Sequence, residues 1–344
     1  MKRHHSTVYI FGAGATRGGY EKALIPPPID IEFFNMVNMI KGRGTKRLAR
    51  EVLETVWELN NRVEGVGLEE YYRDIETRAI IVGFAKPKNQ PKNWSKRQQQ
   101  ITELIRRVYI HTTCDDRKEG MLPKPSEIHK KILERLKADD AIITFNYDTV
   151  IEESMMLGLW NPLDGYGIKA FGKEWCQKWF IDRSGDASAH VKSKILLLKL
   201  HGSINWSSYQ NKKLRLKTRP YCIKTNRGKP VTENVLLLAP GYNKKIYKNP
   251  YVKLWREARH KLENCESLVI LGYSLPETDL LARALFSEVI RQRSTTEEYI
   301  KDLHLVDPSG LVKDKFIKLF TPAIGPNGRI FKYRDLEEYS KRVS

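Results

Sequence analysis

The sequence predicts an α/β fold in which one parallel β-sheet carries helices on both faces. Two observations lead to this prediction. Short apolar runs rich in β-branched residues alternate with longer segments in which apolar residues recur every three or four positions. Each apolar run also stops abruptly at small or polar residues, a pattern typical of buried strands whose carboxyl ends form the functional edge of a parallel sheet.

Five of these runs are interpreted as the strands of the sheet. In chain order they are Thr7–Phe11, Ala141–Phe145, Ile195–Leu200, Leu268–Leu271 and Leu303–Val306. In the same order, the segments that follow them are the turn GAGATRGG, Asn146-Tyr147-Asp148, His201-Gly202-Ser203, Gly272-Tyr273-Ser274 and Asp307-Pro308-Ser309. Because parallel strands end at the same edge, these segments are expected to border one crevice.

Helical patterns fill the spaces between the strands. They cover Lys46–Asn60, Gln98–Tyr109, Ser126–Lys137, Pro250–Glu263 and Pro276–Gln292. We interpret residues 1–320 as one domain with two insertions and residues 321–344 as a short C-terminal tail. The first insertion, about 40–125, is helical and contains the Pro/Lys/Asn-rich linker 85–97, and the second covers about 157–232.

Composition bounds the class of protein. The 344 residues are 41% hydrophobic, which is enough for a sizeable core, and 60 Lys and Arg against 41 Asp and Glu give a formal charge of +19. That charge favours polyanions or an acidic partner surface. The four cysteines are scattered without a Cys-x-x-Cys pair, so neither a zinc ribbon nor a disulfide framework is expected, and a reducing cytoplasm fits best. We identify no targeting signal and no membrane span.

The segment 212–229 contains eight basic residues and no acidic one, and its alternation predicts a β-hairpin. Such a hairpin is either a solvated surface or a docking surface for DNA or an acidic partner. A surface that binds phosphates would lose affinity steeply as the salt concentration rises.

The glycine-rich turn after the first strand has two interpretations. Gly12, Ala13, Gly14 and Thr16 stand where backbone N–H groups approach a diphosphate at a helix N-terminus. Alternatively, the turn is only a tight connection, because Arg17 occupies the position of the third glycine in the usual dinucleotide motif.

The polar residues after the later strands also have two interpretations each. Asn146 and Asp148 are either site residues or caps of the next helix, and His201 is either a site residue or a histidine satisfied at a strand end. Gly272 and Ser274 form either a strand exit or a turn that supports a ribose or phosphate. Asp307 is placed where a carboxylate accepts hydrogen bonds from an adenosine ribose.

The ordered motifs GAGAT, TFNYDT, KLHGSINW and LGYSLPETD resemble the sirtuin superfamily, specifically its bacterial sirtuin-like branch found in antiphage defence. The resemblance extends from residue 7 to about 308. It implies a Rossmann-like domain that binds NAD, with Gly12, Gly14 and Thr16 at the phosphates and Ser274 and Asp307 toward the adenosine half.

The same resemblance assigns the family's catalytic asparagine and histidine to Asn146 and His201, and it matches Asp30 to the acidic residue of the loop over the nicotinamide ribose. Deacylating sirtuins contain a zinc ribbon made of two Cys-x-x-Cys pairs, which this sequence lacks. Acyl-lysine removal is therefore disfavoured, and we expect water to be the acceptor without any metal.

We therefore expect an NAD+ hydrolase that releases nicotinamide and ADP-ribose. Asn146 would hold the water or a ribose hydroxyl, His201 would act as general base, and Asp148 would orient one of these groups or cap its helix. The resemblance also implies a homo-oligomer and a HerA-type hexameric ATPase as partner. The alternatives are a DNA-binding or DNA-processing subunit that senses nucleotide and, third, a protein deacylase.

Overall fold

The computed structural model describes eleven segments of the chain. They are residues 6–40, 43–85, 93–115, 122–123, 125–155, 158–171, 192–216, 225–226, 229–230, 235–238 and 248–342. The strands are Thr7–Phe11 (β1), Cys114–Asp115 (β2), Leu122–Pro123 (β3), Ala141–Thr144 (β4), Ala170–Phe171 (β5), Leu196–Lys199 (β6), Trp206–Gln210 (β7), Lys213–Leu216 (β8), Thr225–Asn226 (β9), Lys229–Pro230 (β10), Ser267–Leu271 (β11), Ile300–Val306 (β12) and Ile324–Tyr333 (β13). The α-helices are Ala13–Gly18 (α1), Phe33–Val37 (α2), Arg43–Asn60 (α3), Leu68–Ala85 (α4), Asn93–Thr113 (α5), Glu127–Leu133 (α6), Val150–Ser154 (α7), Tyr251–Asn264 (α8), Leu280–Thr296 (α9), Gly310–Phe320 (α10) and Leu336–Arg342 (α11).

Six parallel strands form the central sheet in the order β13-β12-β11-β1-β4-β6. Read from β6 to β13 and numbered by their order along the chain, these strands run 3-2-1-4-5-6, which is the doubly wound Rossmann-like arrangement. The order in which strands are added to the sheet reverses between β1 and β11, so the crevice at the carboxyl ends of these two parallel strands is the expected ligand site. All five predicted strands are confirmed as members of this sheet.

The central strands are buried because their side chains are apolar on both sides of the sheet. Val8, Ile10 and Phe11 of β1 are buried, and so are all four residues of β4. Continuous runs of this kind are expected only where helices cover both faces. The register places Phe11 between Thr144 and Leu271, so the three strands end together at one edge.

The helical insertion has a hydrophobic core of its own. Its α3, α4 and α5 pack around buried residues that include Val52, Tyr72 and Leu104. Two residues of the sheet domain, Tyr147 and Ile204, belong to this second core. The insertion therefore packs directly against the segments that follow β4 and β6.

The carboxyl-terminal residues correct the sequence interpretation. Residues 321–344 were expected to form a short tail, but within them β13 pairs with β12 as the sixth strand and α11 follows it. The strand is hard to recognise because Tyr333 is the one buried residue among its ten. Unlike β6 at the other edge of the sheet, β13 has no continuous apolar run.

The basic segment also differs from the prediction. β7 and β8 form a hairpin with Asn211 and Lys212 in the turn at positive φ, so its strand pairing begins before residue 212, and β9 and β10 form a second, two-residue antiparallel pair. In β8 the side chains alternate, with Leu214 and Leu216 buried and Arg215 exposed. Residues 217–224 and most of the linker 85–97 lie outside the described residues.

Helix α9 begins four residues later than the sequence pattern suggested. It was expected from Pro276, but its first residue is Leu280 and its N-cap is Asp279, whose carboxylate accepts a hydrogen bond from the Ala282 N–H. Asp279, which would lie inside the expected helix, has a ψ of 65°, which is not a helical value. Among the described residues, no helix combines the length and apolarity needed to cross a membrane.

Replacing Tyr339 with alanine tests whether the C-terminal segment is structural. Tyr339 is 1% exposed and its ring lies edge-on to Tyr333 at 5.1 Å. We expect Tyr339→Ala to lower the free energy of unfolding by about 3 kcal/mol, because the lost side chain leaves a cavity. Urea denaturation measures this change, and Lys341→Ala, at an exposed position on the same helix, should stay within about 0.5 kcal/mol. Equal stability of both variants would contradict a packed C-terminus.

Candidate functional site

A cavity of about 760 Å³ lies at the carboxyl edge of the sheet, at the reversal point between β1 and β11. Residues that follow β1, β4, β6, β11 and β12 line it, and so do residues of the helical insertion and of the C-terminal segment. Its volume falls in the range of sites that bind small molecules and cofactors. The polar segments that the sequence placed at the strand ends do therefore meet in one crevice.

Two backbone turns pack directly against each other on the floor of this cavity. A Cβ at Gly12 would lie 2.5 Å from the Gly272 carbonyl oxygen, and a Cβ at Gly272 would lie 2.2 Å from the Ala15 nitrogen. Gly272 also has a positive φ of 55°. Gly12 N donates to Leu271 O, and Gly14 N donates to Gly272 O at 2.9 Å. The close packing of the two turns thus explains why glycine occupies these positions. The N–H groups of Gly12 and Gly14 already donate hydrogen bonds within the protein.

The Asn146 side chain is held at a fixed orientation beside the β1 turn. Its amide nitrogen donates to the Gly12 carbonyl oxygen at 2.8 Å and to the Thr16 hydroxyl at 2.9 Å. Because a carbonyl oxygen only accepts, the amide nitrogen must be the atom that faces Gly12. Both amide hydrogens are then used, and Oδ1 is the amide atom that can accept a hydrogen bond from a ligand.

Asp148 and Thr16 are buried supports of Asn146 and do not line the cavity. The Thr16 hydroxyl donates to Asp148 Oδ2 at 2.8 Å, so a chain of hydrogen bonds runs from Asn146 through Thr16 to the Asp148 carboxylate. Asp148 Oδ1 accepts from Val150 N, the first N–H group of α7, at 3.0 Å, although the N-cap residue of this helix is Thr149. Asp148 thus supports Asn146 and the start of α7, and a catalytic role for it stays a prediction.

His201 follows β6 and is buried against aromatic rings, beside the segment that follows β4. Its Nε2 lies 3.4 Å from Asp279 Oδ2, and its ring meets Phe145 edge-on at 5.2 Å. Asp279 Oδ2 also accepts the Tyr273 hydroxyl at 2.9 Å. Phe145 stacks on Tyr273 with ring centroids 4.3 Å apart. The imidazole therefore lies between aromatic rings with a carboxylate beside Nε2, and a carboxylate in that position can orient a general-base histidine.

Tyr147 separates Asn146 from Asp148 and points toward the helical insertion. Its hydroxyl donates to the Leu238 carbonyl oxygen at 2.8 Å, and its ring lies 6.2 Å from Tyr109 of α5 and 6.1 Å from His201. Burial raises the pKa of Tyr147 well above its usual value, so it stays a neutral hydroxyl.

A buried ion pair holds the loops behind the site. Lys199 donates to Glu152 Oε1 at 2.9 Å and to the Asp148 carbonyl oxygen, and both side chains are fully buried. The Tyr166 hydroxyl donates to the same carboxylate at 3.0 Å. Because Lys199 lies two residues before His201, this pair connects the histidine segment with the Asn146 segment.

Asp30, Ser274 and Asp307 line the cavity as expected from their positions. Asp30 Oδ1, however, accepts a hydrogen bond from Glu69 N at 3.0 Å, so it binds the first turn of α4. Burial raises the pKa of Asp30 and of Asp307 above the usual value of a carboxyl group. Asp307 Oδ1 is used by Ser309 N at 2.8 Å, and Ser274 is exposed at the rim.

The structure therefore brings most of the predicted residues together. Asn146, His201, Ala13, Gly14, Asp30, Gly272, Ser274 and Asp307 line the cavity, whereas Gly12, Thr16 and Asp148 lie behind it. The pairing of Asp279 with the histidine was not predicted from the sequence, and neither was the place of Glu69 and Tyr109 in the cavity. Asp279 is the last residue of the motif LGYSLPETD and so offered a signal, but Glu69 and Tyr109 lie in the helical insertion, where no motif marks them.

The described residues contain no group of three or more His, Cys, Asp and Glu side chains that could hold a metal ion. The fold and this cavity define a doubly wound α/β protein with a ligand site at its strand-order reversal.

A family model described as a SIR2-like domain matches residues 140–311, half of the chain. The chain therefore belongs to the SIR2-like domain family, a sirtuin-like family whose enzymes use NAD. A solved structure described as "Structural Basis for the Mechanism and Regulation of Sir2 Enzymes" is similar at 13% sequence identity and a TM-score of 0.36, over 99% of this chain and 91% of that chain. At that TM-score the likeness adds nothing to the family match. No curated protein matches the chain significantly.

Replacing Thr16 tests the support of Asn146. We expect Thr16→Val to lower the free energy of unfolding by about 1–3 kcal/mol, because the Asp148 carboxylate and the Asn146 amide each lose a buried hydrogen-bond partner. Thr16→Ser keeps the hydroxyl and is the matched control. Chemical denaturation of both variants measures the difference, and a Thr16→Val protein as stable as Thr16→Ser would refute the bridge.

Proposed function

We propose that this protein is an NAD+ hydrolase that releases nicotinamide and ADP-ribose. The observation that carries the proposal is the fixed Asn146 amide, whose Oδ1 is left for a ligand, in a cavity that also holds the His201–Asp279 pair. Family membership supports NAD as the molecule that fills this cavity.

The chemistry requires little beyond positioning and charge. The positively charged nicotinamide ring leaves the ribose as a neutral molecule and keeps the electron pair of the broken bond, so the ribose becomes oxocarbenium-like and needs a nucleophile on its free face. Asn146 Oδ1 accepts a hydrogen bond from the water or from a ribose hydroxyl, and His201 takes the proton as water attacks. Asp279 orients the imidazole through Nε2.

Water is the favoured acceptor because the sequence contains no pair of Cys-x-x-Cys motifs for the zinc ribbon of deacylating sirtuins. We propose that Gly14 and Gly272 line the path of the phosphates, that Ser274 lies toward the adenosine half and that Asp307 binds the adenosine ribose. Two of the backbone N–H groups in this region are bonded internally, so a diphosphate would depend on other donors in this part of the cavity.

A hydrolase that consumes NAD+ must be restrained in the cell. We propose that oligomerisation and a HerA-type hexameric ATPase provide the restraint or the trigger and that the activity serves antiphage defence by NAD depletion. The high positive charge of the chain fits an acidic partner surface or a polyanion.

Loss of the two central side chains tests the function directly. We expect Asn146→Ala and His201→Ala each to lower the rate of NAD+ loss by about 100-fold or more, because each removes a group that acts on the attacking water. The measurement is nicotinamide release by the purified chain, alone and with DNA or an added ATPase partner.

Matched controls are His260→Ala and Asn327→Ala, since both positions are exposed and outside the cavity. Circular dichroism verifies that each variant is folded. Full turnover by both cavity variants would sink the hydrolase proposal.

A second candidate function is DNA binding through the basic hairpin. Lys212, Lys213 and Arg215 are exposed while Leu214 and Leu216 anchor the hairpin, so the charges face outward together. In this alternative the sirtuin-like domain mainly senses nucleotide, and the hairpin performs the binding.

Salt titration distinguishes this alternative. If the hairpin binds DNA, the logarithm of the affinity should fall linearly with the logarithm of salt, with a slope of about −0.9 for each phosphate contact. Removing Lys212, Lys213 and Arg215 together should make the slope less negative. An unchanged slope in the triple variant would place DNA binding elsewhere, and DNA binding without any NAD+ turnover would favour the sensor function.

A further inference from the structure

The helical insertion supplies a carboxylate to the cavity. Glu69 is the second residue of α4, is half-buried and lines the same cavity as Asn146 and His201. No motif assigns it a role. Its neighbour Glu70 points elsewhere, because it forms exposed ion pairs with Arg62 at 3.2 Å and Arg73 at 3.6 Å.

The position of Glu69 is fixed by Asp30. Asp30 Oδ1 accepts the Glu69 N–H at 3.0 Å, and a Cβ at position 67 would lie 2.1 Å from Asp30 Oδ2. Only glycine at position 67 leaves room for this carboxylate. The first N–H groups of a helix have no partner within the helix, and Asp30 accepts a hydrogen bond from one of them in α4. Asp30 therefore holds the first turn of α4 against the cavity.

The charge of Glu69 affects two tyrosines that line the cavity. Burial is the main cause of the raised pKa of Tyr147 and of Tyr273. The negative charges of Glu69 and Asp279 raise the pKa of both tyrosines further. Tyr147 follows β4 and Tyr273 follows β11, the two strands that flank β1, and both tyrosines line the same cavity as Glu69. Glu69 reaches the cavity from the insertion, whereas Asp279 reaches it from the sheet domain.

We propose that Glu69 is a catalytic carboxylate that stabilises the positive charge on the ribose while nicotinamide leaves. This inference rests on the proposed hydrolase function. The C1′–N bond breaks and its electron pair stays on the ring nitrogen, which gives neutral nicotinamide and an oxocarbenium-like ribose. Water then bonds to C1′, its proton passes to His201, and Glu69 remains ionised throughout.

A carboxylate with this role acts on the transition state more than on the bound substrate. The charge on the pyridinium in NAD+ moves to the ribose as the bond breaks, and a fixed negative charge beside the ribose lowers the energy of that state. A group that merely bound ribose hydroxyls would instead change KM with little change in kcat.

Glu69→Gln is the direct test because it removes the charge and keeps the shape. We expect kcat for NAD+ cleavage to fall on the order of 10- to 100-fold, with KM within about twofold of the unaltered protein. Glu69→Asp keeps the charge and should recover part of kcat. Glu70→Gln, one position along the same helix, is the matched control and should leave both constants unchanged.

The outcomes separate this inference from the hydrolase proposal. If the unaltered protein cleaves NAD+ and Glu69→Gln retains its kcat, or changes only KM, the role of Glu69 is overturned and the hydrolase stands. If Glu70→Gln loses kcat to the same extent, the effect belongs to the start of α4 and the inference also fails. If the unaltered protein binds NAD+ and never cleaves it under any of these conditions, both proposals fall.

Discussion

The close approach of two backbone turns at the centre of the sheet is the constraint on which the site depends. The turn after β1 and the turn after β11 touch through Gly12, Gly14 and Gly272, where any side chain would collide with backbone. This contact fixes the β1 turn, and the pairing of β4 with β1, with Phe11 opposite Thr144, brings Asn146 to the Gly12 carbonyl oxygen. The orientation of the amide is thus a consequence of backbone packing.

The second support of the site is a set of buried polar contacts that connect neighbouring strand ends. Lys199 links the segment after β6 to the segment after β4, and Asp279 links the start of α9 to His201. A buried pair of this kind contributes little net stability, since desolvation offsets most of its attraction. Its effect here is to fix the relative positions of Asn146 and His201.

Much of this arrangement was predictable from the sequence because it is local. The strands β1, β4, β6, β11 and β12 show continuous apolar runs, and their polar endings identified Asn146, His201 and Asp307. What escaped prediction depends on long-range contacts. β13 is an edge strand without an apolar run, the hairpin register depends on a turn at Asn211, and Glu69 reaches the cavity only because Asp30, 39 residues away along the chain, binds its N–H.

The cavity wall comes from two bodies with separate cores, and Tyr147 and Ile204 of the sheet domain belong to the core of the insertion. A molecule that fills the cavity touches both bodies and acts as a bridge between them. By thermodynamic reciprocity, whatever tightens the insertion against the sheet domain raises the affinity for that molecule by the same factor by which the molecule tightens the insertion. The helical insertion is therefore coupled to the site. A partner that binds the outer surface of the insertion can change the affinity of the cavity for its ligand without touching the cavity.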